Sequence, residues 1–68
     1  MERASKYYTL SYVVECKWPH NPFYEQIAAF NSDVVAKQYC DNCAKANPKF
    51  QYQVLARKGT KWILVHPA

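Results

Sequence analysis

One stretch limits what this chain can fold into more than any other. It is FQYQVLARKGTKWILVH, residues 50–66, in which two runs of β-branched, aromatic and aliphatic residues flank Arg57-Lys58-Gly59, which contains the only glycine of the sequence. Such a pattern predicts a β-hairpin. Side chains alternate along a strand, so Phe50, Tyr52, Val54 and Ala56 share one side, with Lys49, Gln51, Gln53, Leu55 and Arg57 on the other. The aromatic-aliphatic side is the expected core side. The register of the second run depends on the turn. A three-residue loop, with Gly59 in the left-handed region, sets Val54 opposite Trp62 and Tyr52 opposite Leu64; Trp62 and Leu64 then enter the core, and Ile63 and Val65 look outward. A two-residue loop centred on Lys58-Gly59 reverses these faces. The three-residue loop is the expected one, because lysine is poorly suited to the positive φ that a type I′ turn needs at both central positions. In both registers the second run is apolar on both faces, which suits a central strand or one whose outer face meets a partner.

Upstream, Tyr8, Leu10, Tyr12, Val14 and Cys16 recur at period two with Thr9, Ser11 and Glu15 between them, so residues 6–17 are expected as a half-buried strand with Tyr7 and Val13 on its outer side. Trp18-Pro19-His20-Asn21-Pro22 ends that strand in a loop, since each proline biases the residue before it away from the helical region. Residues 23–30, FYEQIAAF, fit either a short helix or a strand paired with the first. The strand is expected, because Asn31-Ser32-Asp33 follows at once as a helix start and would be redundant inside a helix already running. Residues 32–46 are expected as that helix. Ser32 or Asn31 supplies the cap, Asp33 places negative charge at the positive end of the dipole, and Asn47-Pro48 ends it. At 100° per residue Val35, Ala36, Tyr39, Cys40, Cys43 and Ala46 fall on a core face, opposite Lys37, Gln38, Asp41, Asn42 and Lys45.

The expected fold is therefore α+β, ββαββ, a four-stranded antiparallel sheet with one helix packed on one face, in a single small globular domain over residues 1–68. A chain of 68 residues has a small core, but two Trp, six Tyr and three Phe each bury a large area and compensate for its size. No apolar run approaches the ~20 residues of a membrane span, and the first residues are not followed by a signal-peptide core. Three cysteines, an odd number, fit a reducing compartment better than a secreted disulfide framework, so a cytoplasmic location is expected.

Few residues suggest chemistry. Cys40-Asp41-Asn42-Cys43 is a C-x-x-C, and Cys16 with His20 would complete a nominal four-ligand zinc set. Both helix cysteines, however, sit mid-helix on the face needed for packing, so the expected role of all three is that of small buried hydrophobes and no metal or other cofactor is expected. The same placement disfavours a thioredoxin-like role, which needs a cysteine at a helix N-terminus. His20 and His66 have no nucleophile or carboxylate partner at a telling spacing, the five acids are scattered, and one glycine cannot build a phosphate loop. The chain is expected not to be an enzyme.

Charge says more. The formal net charge is +4, and after Asp41 the chain carries Lys45, Lys49, Arg57, Lys58 and Lys61 with no acid. Three of these cluster at the hairpin tip, where they can grip a phosphate backbone or simply keep the hairpin soluble and its edges unpaired. Val13, Leu55, Ile63 and Val65, with Tyr7 alongside, are expected to form an apolar patch on the outer sheet face, a surface for a second copy of the chain or a foreign partner.

The order of strand, strand, the helix FNSDVVAKQYCDNCAKANP and the hairpin FQYQVLARKGTKWILV resembles the layout of small phage-encoded proteins, among them anti-CRISPR proteins that combine a bent antiparallel sheet with one helix. It covers nearly the whole chain and rests on element order and a hairpin tryptophan. What it implies is a non-enzymatic inhibitor or accessory protein that occupies a surface on a host complex. An RNA-recognition module is not indicated, since neither its strand order nor an RNP-type aromatic segment is present. The sequence thus predicts a small binding protein that docks on a protein or nucleoprotein target through the outer sheet face and basic tip, with Tyr7, Lys49, Leu55, Arg57, Lys58, Lys61, Ile63 and Val65 as its contact residues. Direct nucleic-acid binding and a small zinc-stabilised module are the alternatives.

Overall fold

A computed structural model describes residues 10–67. Its elements follow the expected ββαββ order: β1 (Tyr12–Lys17), β2 (Glu25–Phe30), α1 (Asp33–Ala46), β3 (Gln51–Lys58) and β4 (Lys61–Pro67). The strands form one antiparallel sheet in the order β2-β1-β3-β4. Because β2 and β3 are both antiparallel to β1, they run parallel to each other with β1 between them, and α1 is the crossover that joins them across that central strand. The first expected strand begins only at Tyr12; residues 6–9, Tyr7 among them, lie outside the described residues. The segment at 23–30 is a strand from Glu25 onward, as its position before a helix start requires.

The helix is bounded by local chemistry. Ser32 is its N-cap in extended backbone, with its Oγ accepting from the Val35 N–H at 3.3 Å, and Asp33 in the first turn pairs with Lys37 one turn on at 3.2 Å. At the other end the Asn47 N–H donates to the Cys43 carbonyl at 2.9 Å, and the chain turns at once so that the Phe50 N–H donates to the Asn47 carbonyl at 3.0 Å.

The core lies between α1 and the sheet: Val14 and Cys16 from β1, Ala36 and Cys40 from α1, Tyr52 and Val54 from β3. Ala36 and Cys40, one turn apart and both fully buried, are small enough to let the helix axis approach the sheet closely. The seam continues along half-buried Cys43 and Ala44. It is narrower than the expected stripe: Val35 and Ala46 are exposed, and Tyr39 sits at the margin with its ring 5.3 Å from that of Phe30. The helix packs on β3, β1 and β2, leaving β4 beyond its edge. A polar contact ties that edge strand back to the helix, His66 Nε2 to Asp41 Oδ1 at 2.8 Å.

The hairpin register differs from the expected one. Lys58 faces Lys61 across a two-residue loop of Gly59 and Thr60, so Ala56 is opposite Ile63, Arg57 opposite Trp62 and Leu55 opposite Leu64. Gly59 has φ +65°, and no other described residue has positive φ. Positive φ at the first central position alone is the pattern of a type II′ turn, which takes glycine there and leaves an ordinary residue at the second position. Lys58-Gly59 is ill suited to a type I′ turn, but Gly59-Thr60 satisfies a different two-residue turn. Trp62 and Leu64 therefore lie on the face away from the helix, and Ile63 on the helix side with Ala56, the reverse of the three-residue expectation. A bulge follows, at which Val65 is the extra residue and turns toward the core before His66 pairs with Val54. A second bulge, at Ile27, puts both Ile27 and Ala28 against the core.

Candidate interaction surface

Among the described residues no helix covers the reverse face of the sheet, and the registers of three strand pairs fix what stands on it. Ala29 pairs with Val13, Val13 with Leu55, and Leu55 with Leu64, so one apolar row crosses all four strands. At its centre Val13 is 1% exposed, whereas Leu64, at the end on the edge strand, is 53% exposed. Toward the hairpin tip the next pair is Arg57 with Trp62. On the other side a polar row begins: Gln26 pairs with Glu15 and Glu15 with Gln53, whose Nε2 donates to Glu15 Oε1 at 2.8 Å. Beyond it Lys17 pairs with Gln51, whose Oε1 accepts from the Tyr24 hydroxyl at 3.2 Å. The face is thus divided crosswise, apolar with a basic rim near the tip and hydrogen-bonded polar away from it.

The expected contact residues distribute unevenly over this geometry. Leu55 and Arg57 lie on the reverse face, as expected. Lys58 and Lys61 face each other at the exposed tip. Ile63 and Val65 leave the reverse face because of the II′ turn and the bulge; Ile63, on the helix side but past the helix, is 42% exposed, while Val65 packs on the core. Trp62 and Leu64 take their places. Lys49 lies in the turn before β3, and the strand from Gln51 to Arg57 alone puts about 20 Å between that end and the tip, so Lys49 does not join it. Tyr7 lies outside the described residues.

The nominal zinc set is dispersed. Cys16 and Cys40 are buried in the core, Cys43 is half-buried beside them, and His20 is exposed in the β1–β2 loop. Among the described residues no three His, Cys, Asp or Glu side chains converge as a metal site would. Burial raises the pKa of Cys16, partly offset by a hydrogen bond with Tyr52, and pushes that of Cys40 to about 11, with Asp41 and Cys43 adding to the effect. Both thiols are therefore protonated at neutral pH and poor nucleophiles. Tyr52 is likewise raised, first by burial and then by Cys16.

Two features have no local sequence signal. Asp41 belongs to the helix face expected to be solvent, yet it reaches His66, 25 residues away. Trp18 stacks on Phe50 at 5.1 Å between ring centroids, and Phe50 in turn lies 6.5 Å from Tyr52, an aromatic ladder running from the loop into the core. No family model, curated protein or solved structure matches the chain. No helix among the described residues is long and apolar enough to cross a membrane.

Proposed function

We propose that this chain is a small non-enzymatic binding protein, an inhibitor or accessory factor, that docks on a protein or nucleoprotein target through the reverse face of its sheet. One observation carries the proposal: exposed Leu64 and Arg57 with half-buried Trp62, Leu55 and Ala29, set around the buried Val13 on a face that no described helix covers. Its make-up, an aromatic and an arginine next to an aliphatic strip, is that of interface hot spots. The layout that resembles phage-encoded inhibitors supports the same role, and three free thiols suit action in the cytoplasm. The test compares proteins that co-purify from the source cells with the tagged chain, with Leu64→Asp and with the helix-surface control Gln38→Glu. The expected result is a partner retained by the chain and the control and lost with Leu64→Asp. A partner set identical for all three would overturn the proposal.

A second mode is favoured by the tip, where exposed Arg57, Lys58 and Lys61 gather around a two-residue turn. Contact with a nucleic-acid backbone there predicts affinity for single-stranded DNA that falls steeply from low to moderate salt. Lack of retention at low salt in a mobility-shift assay removes this mode and leaves the sheet face standing.

A further inference from the structure

A cleft of about 420 Å³ opens at the end of the sheet opposite the hairpin tip, lined by Trp18, Pro19, His20, Asn21, Pro22 and Glu25. Its loop is held by its own hydrogen bonds. The Asn21 N–H donates to the Trp18 carbonyl at 3.1 Å, and Asn21 Oδ1 accepts from the Phe23 N–H at 2.9 Å. The indole of Trp18 is also held, because it stacks on Phe50, which in turn lies tilted against the buried Tyr52. Even so, Trp18 is 52% exposed, and that exposed area borders the cleft. Glu25 opens β2 on the cleft wall, and among the described residues its carboxylate makes no hydrogen bond or ion pair. The cleft therefore combines a fixed aromatic surface with the Glu25 carboxylate, and the His20 imidazole is the other titratable group on its wall.

We propose that this cleft binds a guanidinium group, presented by an arginine side chain of a partner protein. The cation is selected by charge: a nucleotide would bring phosphate to a wall whose fixed charge is negative, whereas a cation meets the Glu25 carboxylate and the negative face of the indole together. Arginine is selected over lysine by shape. A planar guanidinium stacks flat on the indole while its N–H fork meets the carboxylate in a bidentate pair, which a tetrahedral ammonium cannot do. The stack on Phe50 keeps Trp18 in place before binding, so less side-chain ordering opposes association. Nothing in this proposal depends on the apolar part of the reverse sheet face, which lies toward the hairpin tip.

The test titrates N-acetyl-arginine methylamide into ¹⁵N-labelled protein and follows the indole N–H of Trp18, assigned against Trp62 with a Trp62→Phe variant. The same titration is run with N-acetyl-lysine methylamide and with AMP. The expected result is a saturable shift of the Trp18 signal with a Kd on the order of millimolar for the arginine compound. The lysine compound should bind about threefold or more weakly, and AMP should give no saturable shift. Glu25→Gln should weaken arginine binding about fivefold with the remaining spectrum unchanged, which separates loss of the site from loss of the fold. A Trp18 shift by AMP equal to that by the arginine compound would overturn the proposal in favour of a base-stacking site. Unchanged affinity in Glu25→Gln, or no saturation by the arginine compound, would overturn it outright.

Discussion

Gly59 connects the turn to the surface, and its replacement by alanine is the sharpest test of the fold. A Cβ built on Gly59 meets no heavy atom within 4 Å, so the substitution creates no clash and removes no contact. Its cost is confined to the backbone, which sits at φ +65°, where an L-residue is disfavoured by roughly 1–2 kcal/mol. Unfolding entropy near the midpoint is about 2.1 cal/mol/K per residue, or about 0.14 kcal/mol/K for 68 residues, so a loss of about 1.5 kcal/mol lowers Tm by about 10 °C. Gly59→Asn should lose less, because asparagine tolerates positive φ better than alanine does. Thermal and urea unfolding followed by circular dichroism measure both, and cross-strand NMR contacts between Leu55 and Leu64 report whether the register survives. A Gly59→Ala protein that melts within about 2 °C of the parent would refute the positive-φ turn. Contacts between Val54 and Trp62 in the parent would refute the register, and with it the placement of Trp62 and Leu64 on the reverse face.

Other perturbations follow from the core and the helix ends. Val54→Ala removes two methyl groups at a fully buried position between sheet and helix and should cost about 2–3 kcal/mol in urea unfolding; a loss under about 0.5 kcal/mol would contradict a tightly packed seam. Ser32→Ala deletes the oxygen that accepts from the Val35 N–H and should cost about 1 kcal/mol, with Ser32→Asp restoring most of it. Cys40 supplies a pH signature. Below pH 9 its thiol is protonated in both states and its full stabilisation is present; as pH rises from 9 toward about 11 the unfolded thiol ionises first, and stability falls. Cys40→Ala should remove that share of the decline, so the gap between the urea midpoints of parent and variant should change between pH 8 and pH 10; a constant gap would count against the raised pKa.

Much of the fold is legible because the signals that set it act over a few residues. The alternation of Tyr12, Val14 and Cys16 identifies a half-buried strand, and Tyr52, Val54 and Ala56 define the buried side of β3, each from side-chain parity alone. Ser32, Asp33 and Asn47-Pro48 bound α1 through caps and backbone restrictions that need no tertiary partner. The candidate surface was only half legible. The parity of their own strand places Leu55 and Arg57, whereas the expectation of Ile63 and Val65 on the reverse face rests on a turn that the structure does not use. Trp18 stood out only as a loop residue, since nothing near it in the chain announces Phe50 beneath its ring.

By itself the sequence determined the helix, the first strand, the hairpin and which side of β1 and β3 is apolar, because periodicity and capping are properties of neighbouring residues, whereas residues 23–30 fit a helix as well as a strand. The tertiary structure alone decided which face β4 shows the core. One glycine allows several turns, and since side chains alternate at period two, choosing Gly59-Thr60 over Arg57-Lys58-Gly59 exchanges Trp62 and Leu64 for Ile63. The bulge at Val65 and the reach of His66 to Asp41 arise from contacts made across the sheet and between sheet and helix, energies that no local window of sequence contains.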